Sequence, residues 1–256
     1  MVKEVTLFGE ENLEDRAIEY LKMFEPPEGY YVTFSGGKDS IVVKDLVKKS
    51  GVKYEIHYNL TTVDPPELVK YIKQQHPDVN INSPEESMWR LIPRKLMPPT
   101  RMVRYCCEVL KERGGSGRRV VTGVRAEESY KRSKRRFVEN CFKDGTKTYI
   151  NPILDWKDHH IWQYIKENNL DYCHLYDEGF KRLGCVMCPM ANKKQILLEA
   201  KRWPKFYQAY VRAFDRMIEE RKRRGKETEW ETGEQVMYWW VYQPKKGNPD
   251  QTVLFE

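Results

Sequence analysis

Apolar and polar positions in the first half of the chain predict strands that alternate with helices. After a helical pattern at residues 14–24, residues 30–34 form an apolar, β-rich run, and residues 41–49 keep apolar side chains on one side. The succession continues with predicted strands at 53–59, 79–82 and 118–124 and a predicted helix at 65–75. Such alternation produces right-handed crossovers between parallel strands. We therefore expect an α/β fold, a mostly parallel twisted sheet with helices on both faces.

The pattern changes after residue 136. Asp144 and Gly145 are typical of a hairpin turn, which predicts an antiparallel edge to the sheet. Amphipathic spacing then predicts helices at 156–168, 200–224 and 232–240, and the aromatic stripe of the second is typical of core packing, as is the pair Trp239 and Trp240. We expect an α/β domain at residues 1–190, a helical C-terminal extension packed on it at 191–256, and a flexible tail at 244–250.

Composition narrows the class of protein. The formal net charge is +7, the pI is about 8.9, and basic residues cluster at 131–136 and 221–226. Such clusters are usually solvated faces, but they also suit a polyanion such as nucleic acid. A mean hydropathy of -0.77 without a long apolar run argues against a membrane span, and the N-terminus does not have the pattern of a secretion signal. We expect a cytoplasmic protein with reduced cysteines.

The motif SGGKDS follows the predicted strand at 30–34 and opens the next predicted helix. Its candidate nucleotide-binding residues are Ser35, Gly36, Gly37, Lys38, Asp39 and Ser40. Backbone N–H groups of such a loop can cradle a phosphate at the positive end of the helix dipole. Lys38 can neutralise phosphate charge, and Asp39 can cap the helix or hold Mg²⁺ on the phosphates. The alternative is an ordinary Gly-Gly turn with Lys38 in solvent.

Four of the six cysteines form two pairs. Cys185 and Cys188 have the spacing of a two-ligand knuckle, whereas Cys106 and Cys107 are adjacent in sequence. Adjacent residues point in different directions and suit one zinc ion poorly, while a cubane cluster has several iron corners. The pattern therefore favours a [4Fe–4S] cluster beside the phosphate loop, with structural zinc and unmetallated thiols as alternatives. The remaining cysteines, Cys141 and Cys173, are interpreted as packed residues.

These motifs resemble known families. SGGKDS is similar to the signature of the N-type ATP pyrophosphatases, which cleave ATP between the α- and β-phosphates. The cysteine pairs, together with TGVRAEES (122–129), NPILDW (151–156), IWQYI (161–165) and LYDEGFKRLGCVMC (175–188), resemble the phosphoadenosine phosphosulfate (PAPS) reductase family from about residue 30 to residue 190. The resemblance implies an adenine nucleotide α-hydrolase-like domain.

The resemblance also implies site residues. Thr122, Gly123 and Arg125 should lie near the nucleotide, and Arg125, with Arg132, can bind phosphate or sulfate. Lys38, Asp39 and Arg125 are the candidate catalytic residues, because the two cations can stabilise charge on the leaving group. The alternative for Arg125 is a surface salt bridge with a neighbouring glutamate. By weaker analogy, residues 57–63 should line the adenosine pocket.

Two departures from the family bear on the reaction. Reductases of this family attack with a cysteine in a C-terminal segment and tend to have a degenerate phosphate loop, whereas here no cysteine follows Cys188 and the loop is intact. We therefore expect a relative that uses ATP with Mg²⁺, similar to the sulfurtransferase component of DNA phosphorothioation systems. It would adenylate an acceptor for sulfur transfer.

The partners expected are a sulfur donor, which would be a cysteine desulfurase-like protein or a persulfide carrier, and a nucleic acid or small-metabolite acceptor. A homodimer is compatible with the sequence. The alternatives are a sulfonucleotide reductase that produces sulfite and a non-catalytic nucleotide-binding module that senses redox state.

Overall fold

The computed structural model describes residues 2–6 and 9–242 of the 256-residue chain. The tail expected at 244–250 lies outside the described residues. The chain forms two compact units. The first contains the described residues of Met1–Leu60, Asp64–Pro84 and Lys111–Gly184, and the second contains Thr61–Val63, Glu85–Leu110 and the described residues of Cys185–Glu256.

These units differ from the division at residue 190 expected from the sequence. The second unit includes residues 85–110 because helix α4 (Met88–Lys95) packs against helix α8 (Pro204–Arg223), although the two are far apart in the sequence. The four cysteines of the expected cluster therefore belong to the second unit, and the phosphate loop belongs to the first.

The first unit is built on a six-stranded sheet of order β5-β4-β3-β6-β8-β7. Its strands are β3 (Tyr30–Thr33), β4 (Tyr54–Asn59), β5 (Asn80–Asn82), β6 (Arg119–Val121), β7 (Val138–Asn140) and β8 (Thr148–Ile150). All pairings are parallel except that of β7 with β8, which is antiparallel. The predicted α/β class, the mostly parallel sheet and the antiparallel edge are confirmed.

A separate two-stranded hairpin, β1 (Lys3–Thr6) and β2 (Gly9–Asn12), precedes the sheet and was not predicted. The helices of the first unit are α1 (Leu13–Met23), α2 (Lys38–Ser50), α3 (Pro66–Gln75), α5 (Tyr130–Ser133) and α6 (Asp158–Glu167). Helix α2 packs on α1 and α6 through side chains such as Val43 and Leu46, which are fully buried. It ends at Gly51, whose φ of 74° is left-handed and favours glycine.

The second unit is helical, with α7 (Lys193–Arg202) and α9 (Gly233–Tyr242) beside α4 and α8. The single helix predicted at 200–224 is wrong at its start, because the chain breaks at Trp203 and Pro204 begins α8. Proline has no N–H and fits the first turn of a helix but not its interior. The predicted aromatic core is confirmed for Tyr210 and Trp240, which are buried with their ring centroids 4.9 Å apart, whereas Trp239 is half-buried.

Candidate functional site

The phosphate loop lies between the carboxyl end of β3 and the start of α2. Gly36 has a φ of 69°, and a Cβ there would come within 2.8 Å of the side chains of Leu68 and Ile72 on α3. A side chain at position 36 would therefore clash as well as strain the backbone. At Gly123, which follows β6, a Cβ would lie 3.2 Å from the backbone of Asp39. Both glycines allow neighbouring segments to approach the loop closely.

The two serines of the loop bond to the loop itself. Ser40 Oγ donates to the carbonyl of Gly37 at 2.8 Å and accepts from the backbone N–H of Ser35 at 3.2 Å. Ser35 Oγ accepts from the N–H of Gly37 at 3.4 Å. These two hydroxyls therefore hold the path of the loop.

The first N–H group of α2 also has a partner. The backbone N–H of Lys38 donates to the hydroxyl of Tyr176 at 2.8 Å. Burial raises the pKa of Tyr176, so the hydroxyl keeps its hydrogen at neutral pH. The hydroxyl thus accepts from the helix terminus, and its own hydrogen is available to donate to a ligand in the cavity that Tyr176 lines.

Charged side chains surround the end of the loop. Arg125 is buried, and its guanidinium donates to Asp39 Oδ1 at 2.6 Å and Asp158 Oδ1 at 3.0 Å. It also donates to Glu127 Oε2 at 2.8 Å. Lys38 is 5% exposed, and its ammonium lies 2.9 Å from Asp158 Oδ1 and 3.3 Å from Asp39 Oδ2. Two buried cations are therefore paired with three carboxylates, of which Glu127 and Asp158 are about half exposed.

The pKa shifts in this cluster follow from the geometry. Burial alone would lower the pKa of Arg125, but the neighbouring carboxylates, Asp39 above all, outweigh it and raise the pKa. Burial would raise the pKa of Asp158, but Lys38 and then Arg125 lower it overall. Both groups are therefore charged at neutral pH. The ion pair of Arg125 with a neighbouring glutamate exists, and it joins a buried guanidinium to the half-exposed carboxylate of Glu127.

A cavity of about 550 Å³ opens beside the loop and belongs entirely to the first unit. Of the predicted nucleotide-binding residues, its lining includes Ser35, Gly37, Lys38, Asp39, Ser40, Thr122, Gly123 and Arg125. Arg132 also lines the cavity and pairs with Glu128. Residues 57–59 of the expected adenosine segment line it as well, whereas residues 61–63 belong to the second unit.

Several lining residues were missed by the sequence interpretation. They are Tyr31, Lys147, Asp158, Tyr176, Lys181 and Arg182. Tyr176 and the pair Lys181–Arg182 stand inside the LYDEGFKRLGCVMC segment, which was used only to identify a family. Asp158 is the first residue of α6, a position where an acidic side chain also has a purely helix-stabilising explanation.

The Cys185–Cys188 turn of the second unit is fixed by neighbouring groups. Met187 has a left-handed φ of 55°, and its N–H donates to the buried carboxylate of Glu199 at 2.5 Å. The Tyr210 hydroxyl donates to the carbonyl of Val186 at 3.2 Å, and Arg101 donates to the carbonyl of Ala191 at 2.8 Å. The turn therefore has a defined backbone path.

The four predicted ligand cysteines interact electrostatically within this unit. A hydrogen bond with Cys107 and burial raise the pKa of Cys106, and the thiols of Cys185 and Cys188 raise it further. Four neighbouring thiols are the donor set of an iron–sulfur cluster, so the residue types fit the expected cofactor. Across residues 2–6 and 9–242, no three His, Cys, Asp or Glu side chains are arranged to hold one metal ion.

The other two cysteines lie in the first unit. Cys173 is fully buried. Cys141 is half-buried, and its pKa is lowered because Tyr149, nearby backbone groups and Lys147 outweigh the effect of burial.

The fold and the cavity define an α/β domain with a phosphate-binding type of loop at the carboxyl end of a central strand. The phosphoadenosine phosphosulfate reductase domain matches residues 29–191, and the chain belongs to this family. A PAPS reductase from Candida auris, solved as a phosphate complex, has the same fold with a TM-score of 0.52 and 19% identity over 70% of this chain and 90% of that one.

Two relatives illustrate the range of the family. An uncharacterized protein of Methanocaldococcus jannaschii is 29% identical over 78% of this chain and 52% of its own length. A protein named adenosine 5'-phosphosulfate reductase, from Oceanobacillus iheyensis, is 27% identical over 66% of this chain and 75% of its own. The chain thus spans about half the length of the archaeal relative. Within the part of the chain that the structure describes, no helix has the length and apolar character needed to cross a membrane.

Proposed function

We propose that this protein is an enzyme that binds ATP in the cavity of the first unit and cleaves it between the α- and β-phosphates. The single observation that carries the proposal is the intact SGGKDS loop, which stands at the start of α2 with buried Lys38 and Arg125 in the cavity wall. An enzyme that releases no pyrophosphate would not need these two cations beside the loop, and its loop could be degenerate.

The reaction adenylates an acceptor and then transfers sulfur. An acceptor oxygen attacks the α-phosphorus, the α–β phosphoanhydride bond breaks, and pyrophosphate leaves with the electron pair. The outer sulfur of a persulfide then attacks the activated carbon, forming a C–S bond while the C–O bond breaks and AMP leaves. A thiol reductant next cleaves the remaining S–S bond, so that the carrier is released as a thiol and the reductant becomes a disulfide. Lys38 and Arg125 offset the charge on the pyrophosphate, and Asp39 is the residue that would hold Mg²⁺, which would supply further positive charge at the phosphates.

We propose further that Cys106, Cys107, Cys185 and Cys188 hold a [4Fe–4S] cluster. Four thiols in one compact unit, with a fixed turn between two of them, support this choice. Such a cluster would supply redox-active iron for handling sulfur. The sulfur itself comes from a cysteine desulfurase-like protein or a persulfide carrier, and the acceptor is a nucleic acid or a small metabolite.

A second candidate is sulfonucleotide reduction, in which a thiol reductant releases sulfite from adenosine phosphosulfate or PAPS. The observation that favours it is the name of several relatives, including that of Oceanobacillus iheyensis. Its loop would bind a phosphosulfate rather than a triphosphate.

The test begins with anaerobically purified protein and Mg²⁺-ATP. We expect AMP and pyrophosphate in equal amounts when the correct acceptor is present, and a large loss of both in Lys38→Ala. Sulfite from adenosine phosphosulfate and thioredoxin, without AMP formation from ATP, would replace the first proposal by the second. Iron and sulfide should fall in Cys185→Ser and Cys188→Ser but not in Cys173→Ser, and equal iron in all three would contradict the proposed ligands.

A further inference from the structure

Lys147 is a buried cation without a strong partner. Its side chain is 8% exposed, it lines the cavity, and the nearest carboxylate oxygen, Asp144 Oδ2, lies 4.0 Å from its ammonium nitrogen. That separation is longer than a hydrogen bond. No hydrogen bond from this ammonium occurs within the residues that the structure describes, although an ammonium has three donors. Burying an ammonium group is unfavourable unless an anion pairs with it and accepts its hydrogen bonds.

The surroundings of Lys147 form one wall of the cavity. Lys147 directly precedes β8, and alternation along the strand puts it on the same sheet face as Tyr149. Tyr149 pairs with Val120, which in turn pairs with Tyr31. All four residues line the cavity, so a small valine lies between two tyrosines on its floor.

This face of the sheet is polar. Its side chains include Thr33, His57 and Asn59 next to Tyr31, and the rings of Tyr31 and His57 stack at 4.1 Å with an angle of 4°. The hydroxyl of Tyr31 is buried, which raises its pKa, and the side-chain amides of Asn59 and Asn82 lie near its oxygen. Its own hydrogen has no acceptor within the described residues. Faces of parallel strands are normally covered by aliphatic side chains. A polar face with two buried donors that lack acceptors is typical of a binding surface.

The charge at this end of the cavity is positive. Glu112 is the nearby lining carboxylate that could repel an anion, but its Oε2 lies 3.0 Å from the ammonium of Lys143. The wall is also distinct from the phosphate loop. Lys147 is three residues before Ile150, the last residue of β8, which corresponds to about 10 Å along the strand. The phosphate loop follows the carboxyl end of β3, which is separated from β8 by strand β6.

We propose that Lys147 forms a second anion subsite, which binds the phosphate or carboxylate group of the second substrate while the nucleotide occupies the Ser35–Ser40 loop. The subsite therefore limits the acceptor to molecules that carry an oxyanion. The proposed subsite rests on the proposed function in one respect, which is that the nucleotide occupies the end of the cavity beside the phosphate loop. The flat Tyr31–His57 pair beside it suits a planar group on the same molecule.

The test measures the melting temperature of the full chain with saturating AMP while inorganic phosphate is added at constant ionic strength. Phosphate should raise the melting temperature of the wild type by about 3–6 °C at ten times its Kd. Lys147→Met should abolish this rise, and Lys131→Met, which removes an exposed lysine outside the cavity lining, should retain it. The same titration with acetate in place of phosphate shows whether the subsite binds a carboxylate, a phosphate or both.

The unliganded proteins provide a second readout. Replacing a buried, weakly paired charge by an apolar side chain is often neutral or stabilising, so Lys147→Met should melt no lower than the wild type. A lower melting temperature would mean that Lys147 is structural and would overturn the subsite. A phosphate response that persists in Lys147→Met, or that AMP removes from the wild type, would also overturn it. If AMP fails to bind, the proposed nucleotide site is lost, and the phosphate response of Lys147→Met against wild type still decides the subsite.

Discussion

The hydroxyl of Tyr176 accepts a 2.8 Å hydrogen bond from the backbone N–H of Lys38, the first residue of α2. Free N–H groups at a helix start are what a phosphate normally binds. Here one of these N–H groups donates to a phenol, whose own hydrogen is available to donate to a ligand. The phenol therefore extends the reach of the helix terminus into the cavity that both residues line.

Tyr176→Phe should weaken nucleotide binding, because it removes the hydrogen that the phenol offers to a phosphate oxygen. We expect AMP and ATP to lose about 5- to 10-fold in affinity, the size of one neutral hydrogen bond. Isothermal titration measures both, with Tyr172→Phe as the control because Tyr172 is exposed and bonds to Asp177. Tighter binding in Tyr176→Phe would mean that the phenol competes with phosphate for the Lys38 N–H.

Arg125→Ala should lower the stability of the first unit as well as remove a cation. The guanidinium is nearly inaccessible and bonds to Asp39, Glu127 and Asp158, so its loss leaves carboxylates without a partner. We expect the free energy of unfolding to fall by about 3 kcal/mol.

The matched control is Arg132→Ala, which breaks an ion pair with Glu128 that is partly exposed. That change should cost less than about 1 kcal/mol. Urea denaturation measures both variants, and equal losses would contradict the importance of burial at Arg125.

The sequence predicts much of the fold because its strands have strong local patterns. The loop of Ser35–Ser40 follows directly from a buried strand, two glycines and a helical pattern, and the structure has it between β3 and α2. The break at Trp203 was missed because the amphipathic spacing continues through Pro204. The packing of α4 with α8 was missed because it depends on contacts far apart in the chain.

The candidate site was less accessible to sequence reasoning. Asp158 and Tyr176 reach Lys38 from segments more than 100 residues later, and only the fold brings them together. Lys147 has no local pattern at all, since its significance comes from burial without a hydrogen bond.

Alanine at both Lys181 and Arg182 should weaken ATP binding more than AMP binding. Both are exposed on the cavity rim, and neither has an ion pair or hydrogen bond within residues 2–6 and 9–242. Lys38 and Arg125 share their charge between carboxylates and the phosphates, so the extra charge of a triphosphate gains from further cations. We expect about a 10-fold loss for ATP at low salt, shrinking as salt screens the interaction.

The control for this pair is alanine at Lys131 and Lys134, two exposed lysines that do not line the cavity. Titration calorimetry at two salt concentrations gives the comparison. An equal loss of ATP affinity in the control would attribute the effect to the general charge of the protein.

His76 should make the first unit less stable as the pH falls from about 6.5 towards 4. Burial and then Lys44 lower its pKa from 6.5 to about 4 in the folded protein. As the pH falls, the unfolded chain therefore takes up a proton before the folded protein does, and the free energy of unfolding decreases through that range. Above pH 6.5 the stabilising contribution of the neutral His76 is fully present.

After discounting for partial exposure, the contribution of His76 is about 1–2 kcal/mol. Urea denaturation at pH 7.5 and pH 5 should show a smaller difference in His76→Gln than in the wild type. The exposed His174 supplies the control, because His174→Gln should leave the difference unchanged. A pH dependence that is identical in wild type and His76→Gln would contradict the prediction.

Glu199 should position the Cys185–Cys188 turn for the proposed cluster. Its carboxylate is buried, burial raises its pKa, and it accepts from Met187 N–H, the backbone group in the left-handed conformation between the two cysteines. Glu199→Leu removes the acceptor and leaves that N–H without its partner, whereas Glu199→Gln keeps an oxygen in the same place. We expect iron and sulfide per chain to fall several-fold in Glu199→Leu and to stay near the wild type in Glu199→Gln. Unfolding curves of the two apo-proteins test whether Glu199→Leu simply lowers stability. Equal stability with unequal iron would identify a positioning role for Glu199. Equal iron in the two variants would exclude that role.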